Sequence, residues 1–169
     1  MKNRAISLVL DVLKTAIGCA LFALGYDLFL LPGDYKGHVL FFFETGKAAK
    51  VPLSAYETKT NRRRLTGAFS DKSPLVKAMA MDQDAQLVVY TSDSRAAIIT
   101  TALLLPKTTR NTIGVAVVSL KKKAVVTDVA ALEASGIVNQ SRYRSKNIPT
   151  AGALLKEEDS PEKQITFEM

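Results

Sequence analysis

From Ala5 to Leu31 apolar residues follow one another, with Asp11, Lys14 and Asp27 the only charges. Alanine, leucine and phenylalanine dominate and no proline intervenes, so the run predicts one helix, stopped by Pro32-Gly33. From Lys36 the period becomes that of strands. His38–Phe43 is short, aromatic and β-branched; Glu44-Thr45-Gly46-Lys47 reads as a hairpin turn; Ala48–Leu53 returns. Leu87–Tyr90 goes out, Thr91-Ser92-Asp93-Ser94 turns and Ala96–Thr100 returns. Gly114–Leu120 and Ala124–Val129 predict two further strands. Lys121-Lys122-Lys123 forms the tight basic link between them, read first as an ordinary turn that aids solubility and guards a sheet edge, with contact to a polyanion left open as the alternative. Beyond Ala130 the pattern degrades: Ser141–Ala151 is a basic loop or edge strand, and Glu157–Met169 a charged, frayed tail.

The two hairpins belong to a pattern that occurs twice, with Leu40 and Leu87 as equivalent starts. Leu40–Phe43 leads through Thr45-Gly46 and Val51 to Lys59-Thr60-Asn61-Arg62-Arg63 and Gly67; Leu87–Tyr90 leads through Ser92-Asp93 and Ile98 to Lys107-Thr108-Thr109-Arg110 and Gly114. Identity between the copies is low (Leu40/Leu87, Ala49/Ala96, Ala55/Ala102, Arg63/Arg110, Gly67/Gly114), so spacing carries the argument. A strand-and-turn period of roughly 45 residues predicts propeller blades, here two clear ones and a degenerate third. The expected organisation is an apolar helix over residues 1–33, a mainly β body over 34–156 and a tail over 157–169.

Charge changes the picture of partners but not of fold. There are 23 basic against 16 acidic residues in 169, a net charge of +7, which favours nucleic acid or an anionic membrane. Apolar content of 47% excludes a wholly disordered chain. The single cysteine, Cys19, rules out an internal disulfide, fits a reducing compartment and reads as a small buried hydrophobe. Residues 5–31 have the length of a bilayer span, but the uncharged window Thr15–Tyr26 falls well short of the roughly 20 residues that a span needs. A membrane anchor, a helix packed on protein and a signal peptide all stay open, the last disfavoured by the lack of a small-x-small cleavage site before Asp27. The phrase Ala23-Leu24-Gly25-Tyr26-Asp27-Leu28-Phe29-Leu30-Leu31-Pro32 resembles the end of the first transmembrane helix of YitT-type bacterial membrane proteins, whose remaining helices this chain does not contain.

A longer resemblance runs from about residue 34 to 169. Phe41-Phe42-Phe43-Glu44-Thr45-Gly46-Lys47-Ala48-Ala49-Lys50-Val51, Thr58–Arg63, Ser70–Leu75, Lys107–Val115 and Arg142–Ala153 are similar to the C-terminal domain of the A subunit of bacterial type IIA DNA topoisomerases, the gyrase and topoisomerase IV group. The resemblance implies a β-pinwheel whose basic outer rim bends or wraps DNA. It also implies an accessory part and not an enzyme on its own, because strand passage needs an active-site tyrosine in another domain and ATP held by a partner subunit. A gyrase-box phrase of the Q-R-R-G-G-x-G type is absent, which leans the resemblance toward topoisomerase IV or a divergent relative. The implied partners are duplex DNA and topoisomerase subunits, in the bacterial cytoplasm at the nucleoid, or at the membrane if residues 5–31 insert.

The residues expected to meet DNA are Lys59, Thr60, Asn61, Arg62, Arg63, Arg64, Lys107, Thr108, Thr109, Arg110, Arg142, Arg144 and Lys146. Arginine offers phosphate a planar fork, and the Thr and Asn side chains add neutral donors of the kind that contact backbone oxygens. Arg142, Arg144 and Lys146 flank Tyr143 with strand-like alternation and read as one basic face. Nothing resembles base readout. With one His and one Cys there is no zinc-type ligand set, and no P-loop or dinucleotide fingerprint occurs, so neither cofactor nor metal is expected. His38 reads as a satisfied strand-end histidine and Tyr90 as a core residue. Because two or three blades do not close a ring, the body is expected to self-associate, to cover its open edge with residues 5–31, or to be marginal.

Overall fold

The computed structural model describes residues 35–57 and 67–159. The apolar segment 5–31, the Lys59–Arg64 cluster and residues 160–169 lie outside the described residues. Among the described residues no helix is long and apolar enough to cross a membrane.

The hydrophobic hairpins form as their pattern dictates. Strands β1 (His38–Phe43) and β2 (Lys47–Pro52) pair antiparallel, and β3 (Leu75–Met81) adds to β1. Strands β4 (Gln86–Thr91) and β5 (Arg95–Thr100) pair in the same way. Strand β6 (Val115–Ala116) adds to β2 and completes the first sheet. In the second sheet β7 (Val126–Ala131) adds to β4, and β8 (Ala153–Leu154) to β5. Among the described residues the result is two antiparallel four-stranded sheets, ordered β3-β1-β2-β6 and β7-β4-β5-β8.

The chain interlaces them. It builds the β4–β5 hairpin of the second sheet before β6 returns to finish the first, so neither sheet is a contiguous stretch of sequence. This corrects the expectation of a degenerate third unit: 115–116 and 126–131 complete the two sheets instead of pairing with each other. The hairpins' second strands present open edges that need partners, and hydrophobic pattern alone does not say which edge a later strand will join.

The repeat is real, but its register is one position longer than the sequence spacing. The hairpins start at His38 and Gln86, so Val39 is equivalent to Leu87, and Leu40 to Val88. Both sheets shift register at matching places, Phe42/Phe43 and Tyr90/Thr91. A slip of one position decides which face a side chain takes. Val39, Phe41 and Val51 face one side of the first sheet, while Leu40, Phe42 and Ala48 face the second sheet. There they meet Leu87, Val89 and Ile99, the counterparts of Val39, Phe41 and Val51. Leu40 and Leu87, aligned by sequence, are thus not equivalent; they face each other across one core layer. The first sheet stacks its second face on the second sheet's first face, a head-to-tail arrangement.

On the far side it does not continue. Between β3 and β6 the chain builds a whole hairpin; between β7 and β8 the connection is shorter and holds none. That shorter segment carries the helical turn α1 (Gln140–Tyr143) and lays Ile137 and Tyr143 on Val88, Tyr90, Ala96 and Ile98. Asp159, 0% exposed, locks it. Its carboxylate accepts from the Tyr143 hydroxyl at 2.8 Å, the Val138 amide at 2.8 Å and the Asn139 amide at 3.4 Å. Asp159, in the segment expected to begin a frayed tail, is therefore buried, and the connection after β7 covers the outer face of the second sheet.

Candidate nucleic-acid interface

Two loops leave and rejoin the same edge of the stacked sheets. In the first, the Lys107 amide donates to the Lys50 carbonyl of β2 at 2.8 Å, and the chain returns at Gly114 to enter β6. In the second, the Ser145 amide donates to the Ile98 carbonyl of β5 at 2.9 Å, and the chain returns at Gly152 to enter β8. Lys50 and Ile98 are equivalent in the hairpin repeat, and Gly114 and Gly152 precede equivalent strands.

Each return is built alike. The Gly114 amide donates to the Thr112 hydroxyl at 3.2 Å, and the Gly152 amide to the Thr150 hydroxyl at 3.3 Å. Both glycines have positive φ, 75° and 64°. A Cβ at Gly114 would collide with the Ala48 backbone, and one at Gly152 would lie 2.8 Å from the Ala96 carbonyl oxygen. Only glycine lets the edge strand approach so closely at that backbone conformation. Because both ends of each loop are tied to a strand edge, the residues between are pushed outward.

The first loop carries Lys107, Thr108, Thr109 and Arg110, with Thr108 and Thr109 exposed and the two cations partly so. The Arg110 guanidinium lies 5.7 Å from the Tyr56 ring centroid, a cation–π contact that orients the loop. Tyr56 is itself fixed, its hydroxyl donating to the Ala68 carbonyl at 2.7 Å. Burial pushes that phenol well above its ordinary value against the opposing pull of Arg110, so it stays a neutral donor.

The second loop carries Arg144 and Lys146, both exposed. Arg144 donates to the neutral Gln86 and Gln140 side-chain oxygens at 3.1 and 3.3 Å, which hold the guanidinium without cancelling its charge. The expected strand-like conformation around Tyr143 is not found: Gln140–Tyr143 is a helical turn. The helical turn α1 swings Tyr143 into the core, Arg144 bridges to Ile98, and Arg142, Arg144 and Lys146 are all left exposed. The core's demand for Tyr143 overrides the alternation. The structure thus brings Lys107–Arg110 and Arg144–Lys146 to equivalent edges of neighbouring sheets.

Sequence reading missed the matched returns. Their signal is present as Thr112-Ile113-Gly114 and Thr150-Ala151-Gly152, but the sequence repeat pairs Gly114 with Gly67 instead. Sequence reading also missed Lys50, only 7% exposed, whose ammonium donates to Asp84 at 2.6 Å and to the Thr101 carbonyl at 3.4 Å. This pair joins the first sheet to the base of the second hairpin, behind the first loop. Its hydrogen bonds to Lys50 and Thr101 hold the Asp84 carboxyl below its ordinary value. Burial, with the Lys50 charge, lowers His38, which is therefore neutral at neutral pH. Among the described residues no three His, Cys, Asp or Glu side chains cluster as metal ligands would.

No family model and no curated protein matches the chain. Solved structures do. The C-terminal domain of DNA gyrase A matches with a TM-score of 0.56 at 14% identity, over 75% of this chain and 47% of that one. The C-terminal domain of DNA topoisomerase IV matches with a TM-score of 0.54 at 19% identity, over 62% of this chain and 33% of that one. The chain has the fold of these domains and spans less than half their length.

Proposed function

We propose that this chain is a DNA-binding accessory unit which grips the phosphate backbone of duplex DNA through its two edge loops, without reading sequence. The observation that carries this reading is the pair of equivalent loops, each fixed at both ends and each presenting cations and neutral donors outward. Lys107, Thr108, Thr109 and Arg110 serve the first sheet, Arg144 and Lys146 the second, with Arg142 beside them. Side chains of these types position a protein on a duplex without carrying sequence information. The fold shared with two topoisomerase C-terminal domains supports the same ligand. Lys59, Thr60, Asn61, Arg62, Arg63 and Arg64 belong to the same proposal on their sequence pattern alone.

The unit bends or positions DNA for a topoisomerase and does not itself break strands; it works in the bacterial cytoplasm with the nucleoid. A mobility-shift titration on duplexes of unrelated sequence tests the binding. The expected result is a shift at low salt, similar for all sequences, whose log Kd rises linearly with log salt as counterions are displaced. No shift at low salt, or one indifferent to salt, overturns the proposal.

A further inference from the structure

The turn at Lys121–Lys123 does not do what a basic link inside a hairpin does. Such a link protects that hairpin's edge, but the strands on either side of this turn belong to different sheets. Its base is tied down on both flanks. The Val117 and Val118 amides donate to the Gly46 carbonyl at the tip of the first hairpin, at 2.8 and 3.1 Å. The Ser119 amide donates to the Thr150 carbonyl of the second edge loop at 2.8 Å, and the Thr150 amide donates back to the Val117 carbonyl at 3.0 Å. Beyond the turn, Ser92 at the tip of the second hairpin donates its amide to the Val125 carbonyl at 2.9 Å, and the Val126 amide donates to the Glu44 carbonyl at 3.0 Å. The Ala124 amide closes the turn on the Lys121 carbonyl at 3.0 Å.

Three lysines are thus mounted on a rigid base between the two hairpin tips, stitched to the loop that carries Arg144 and Lys146. All three are exposed, and none makes an ion pair among the described residues. Lys123 sits at φ 68°, a region where glycine or asparagine is the less strained choice. A lysine kept there, next to two others, gives up backbone comfort for a fixed positive charge.

The geometry points to Lys121, Lys122 and Lys123 as a third contact for the DNA backbone, continuous with the second edge loop through Thr150. This rests on the DNA-binding reading and extends it to a site outside both loops. The ligand chemistry is a run of phosphodiesters, met by point charges and not by forked arginines.

The experiment compares the wild-type chain, the triple variant K121Q/K122Q/K123Q and the loop variant K107Q/R110Q/R144Q/K146Q on one duplex across a salt series. Each phosphate contact contributes a slope of about 0.9 in log Kd against log salt, so the triple variant should lose about 2 to 3 units of slope. It should bind about a hundred- to a thousandfold more weakly near 0.1 M salt, with an unchanged unfolding midpoint. Lys123→Gly gives a second signature: it should raise the unfolding midpoint while lowering the slope by about 1. A triple variant with wild-type slope, where the loop variant loses slope, overturns this inference and leaves the DNA-binding reading standing. A wild-type chain that does not bind at low salt overturns both.

Discussion

Replacing Gly114 by alanine tests how the first edge loop is held, and the molecule supplies its own control. Gly67 has nearly the same backbone conformation, φ 66° against 75°, but a Cβ there would meet nothing within 4 Å. Gly67→Ala therefore isolates the backbone penalty of a left-handed alanine, about 1–2 kcal/mol. Gly114→Ala adds a collision with the backbone of Ala48 and Ala49, which are buried in β2 and cannot retreat. The edge strand must move instead, and β6 holds by only two register positions, Lys47 with Ala116 and Ala48 with Val115. Losing that short ladder adds about 1–3 kcal/mol at the usual net worth of a hydrogen bond. The total is about 2–5 kcal/mol for Gly114→Ala against about 1–2 kcal/mol for Gly67→Ala. Gly152→Ala, where the nearest atom is the Ala96 carbonyl oxygen at 2.8 Å, should fall between them. Urea unfolding of the three variants measures the series, and a mobility shift should show Gly114→Ala weakened on DNA while Gly67→Ala is not. Gly114→Ala within about 0.5 kcal/mol of Gly67→Ala would refute the reasoning, since strain alone would then explain both.

Asp159→Ala should destabilise by about 2–4 kcal/mol, read as a lower thermal midpoint with new dye binding to the uncovered face, because it removes the acceptor of the Tyr143 hydroxyl proton and of the Val138 amide. Burial alone would raise the Asp159 carboxyl, but hydrogen bonds from Tyr143, Val138 and Asn139 prevail and hold it below its ordinary 3.8. Its contribution is therefore fully present above pH 3.8 and is lost as pH falls through the lower folded value, and that acid-dependent part should vanish in the Asp159→Ala chain. At the inter-sheet pair, Asp84→Asn should cost more than Lys50→Met in urea unfolding. It strands a buried ammonium, whereas the Asp84 side chain, 47% exposed, can turn to water when Lys50 is gone. Arg110→Leu should weaken DNA binding beyond the loss of one charge, because the loop loses its seat on Tyr56; Arg110→Lys, which keeps a cation over the ring, should retain most of it in the same salt series.

Both hairpins were legible in the sequence because they are local. His38–Phe43 and Ala96–Thr100 carry strand composition, and turn residues sit between the paired runs, so pattern and contact lie close together along the chain. The routing of later strands was not legible. Val115–Ala116 and Ala153–Leu154 are too short to show a period, and their partners lie far upstream, at Ala48 and Ala96. Tyr143 misled for the opposite reason: its neighbours alternate like a strand, yet the apolar face of the second sheet had to be covered, and one helical turn does so. The basic phrases at Lys107–Arg110 and Arg144–Lys146 were readable as chemistry. That they stand at equivalent edges followed only from the glycine returns.

The cap closed by Asp159 also bears on how tightly the chain would hold DNA under the proposed function. In a stack of this kind every further sheet brings one further edge loop, and every loop adds its own increment to the counterions displaced. By using the connection after β7 as a cover in place of a hairpin, the chain ends that addition on one side. If the edge loops hold DNA as proposed, affinity and its sensitivity to salt grow with the number of such loops. Exchanging the cover for a hairpin-bearing connection like the one between β3 and β6 would lengthen the grip by one increment, while leaving the existing loops unchanged.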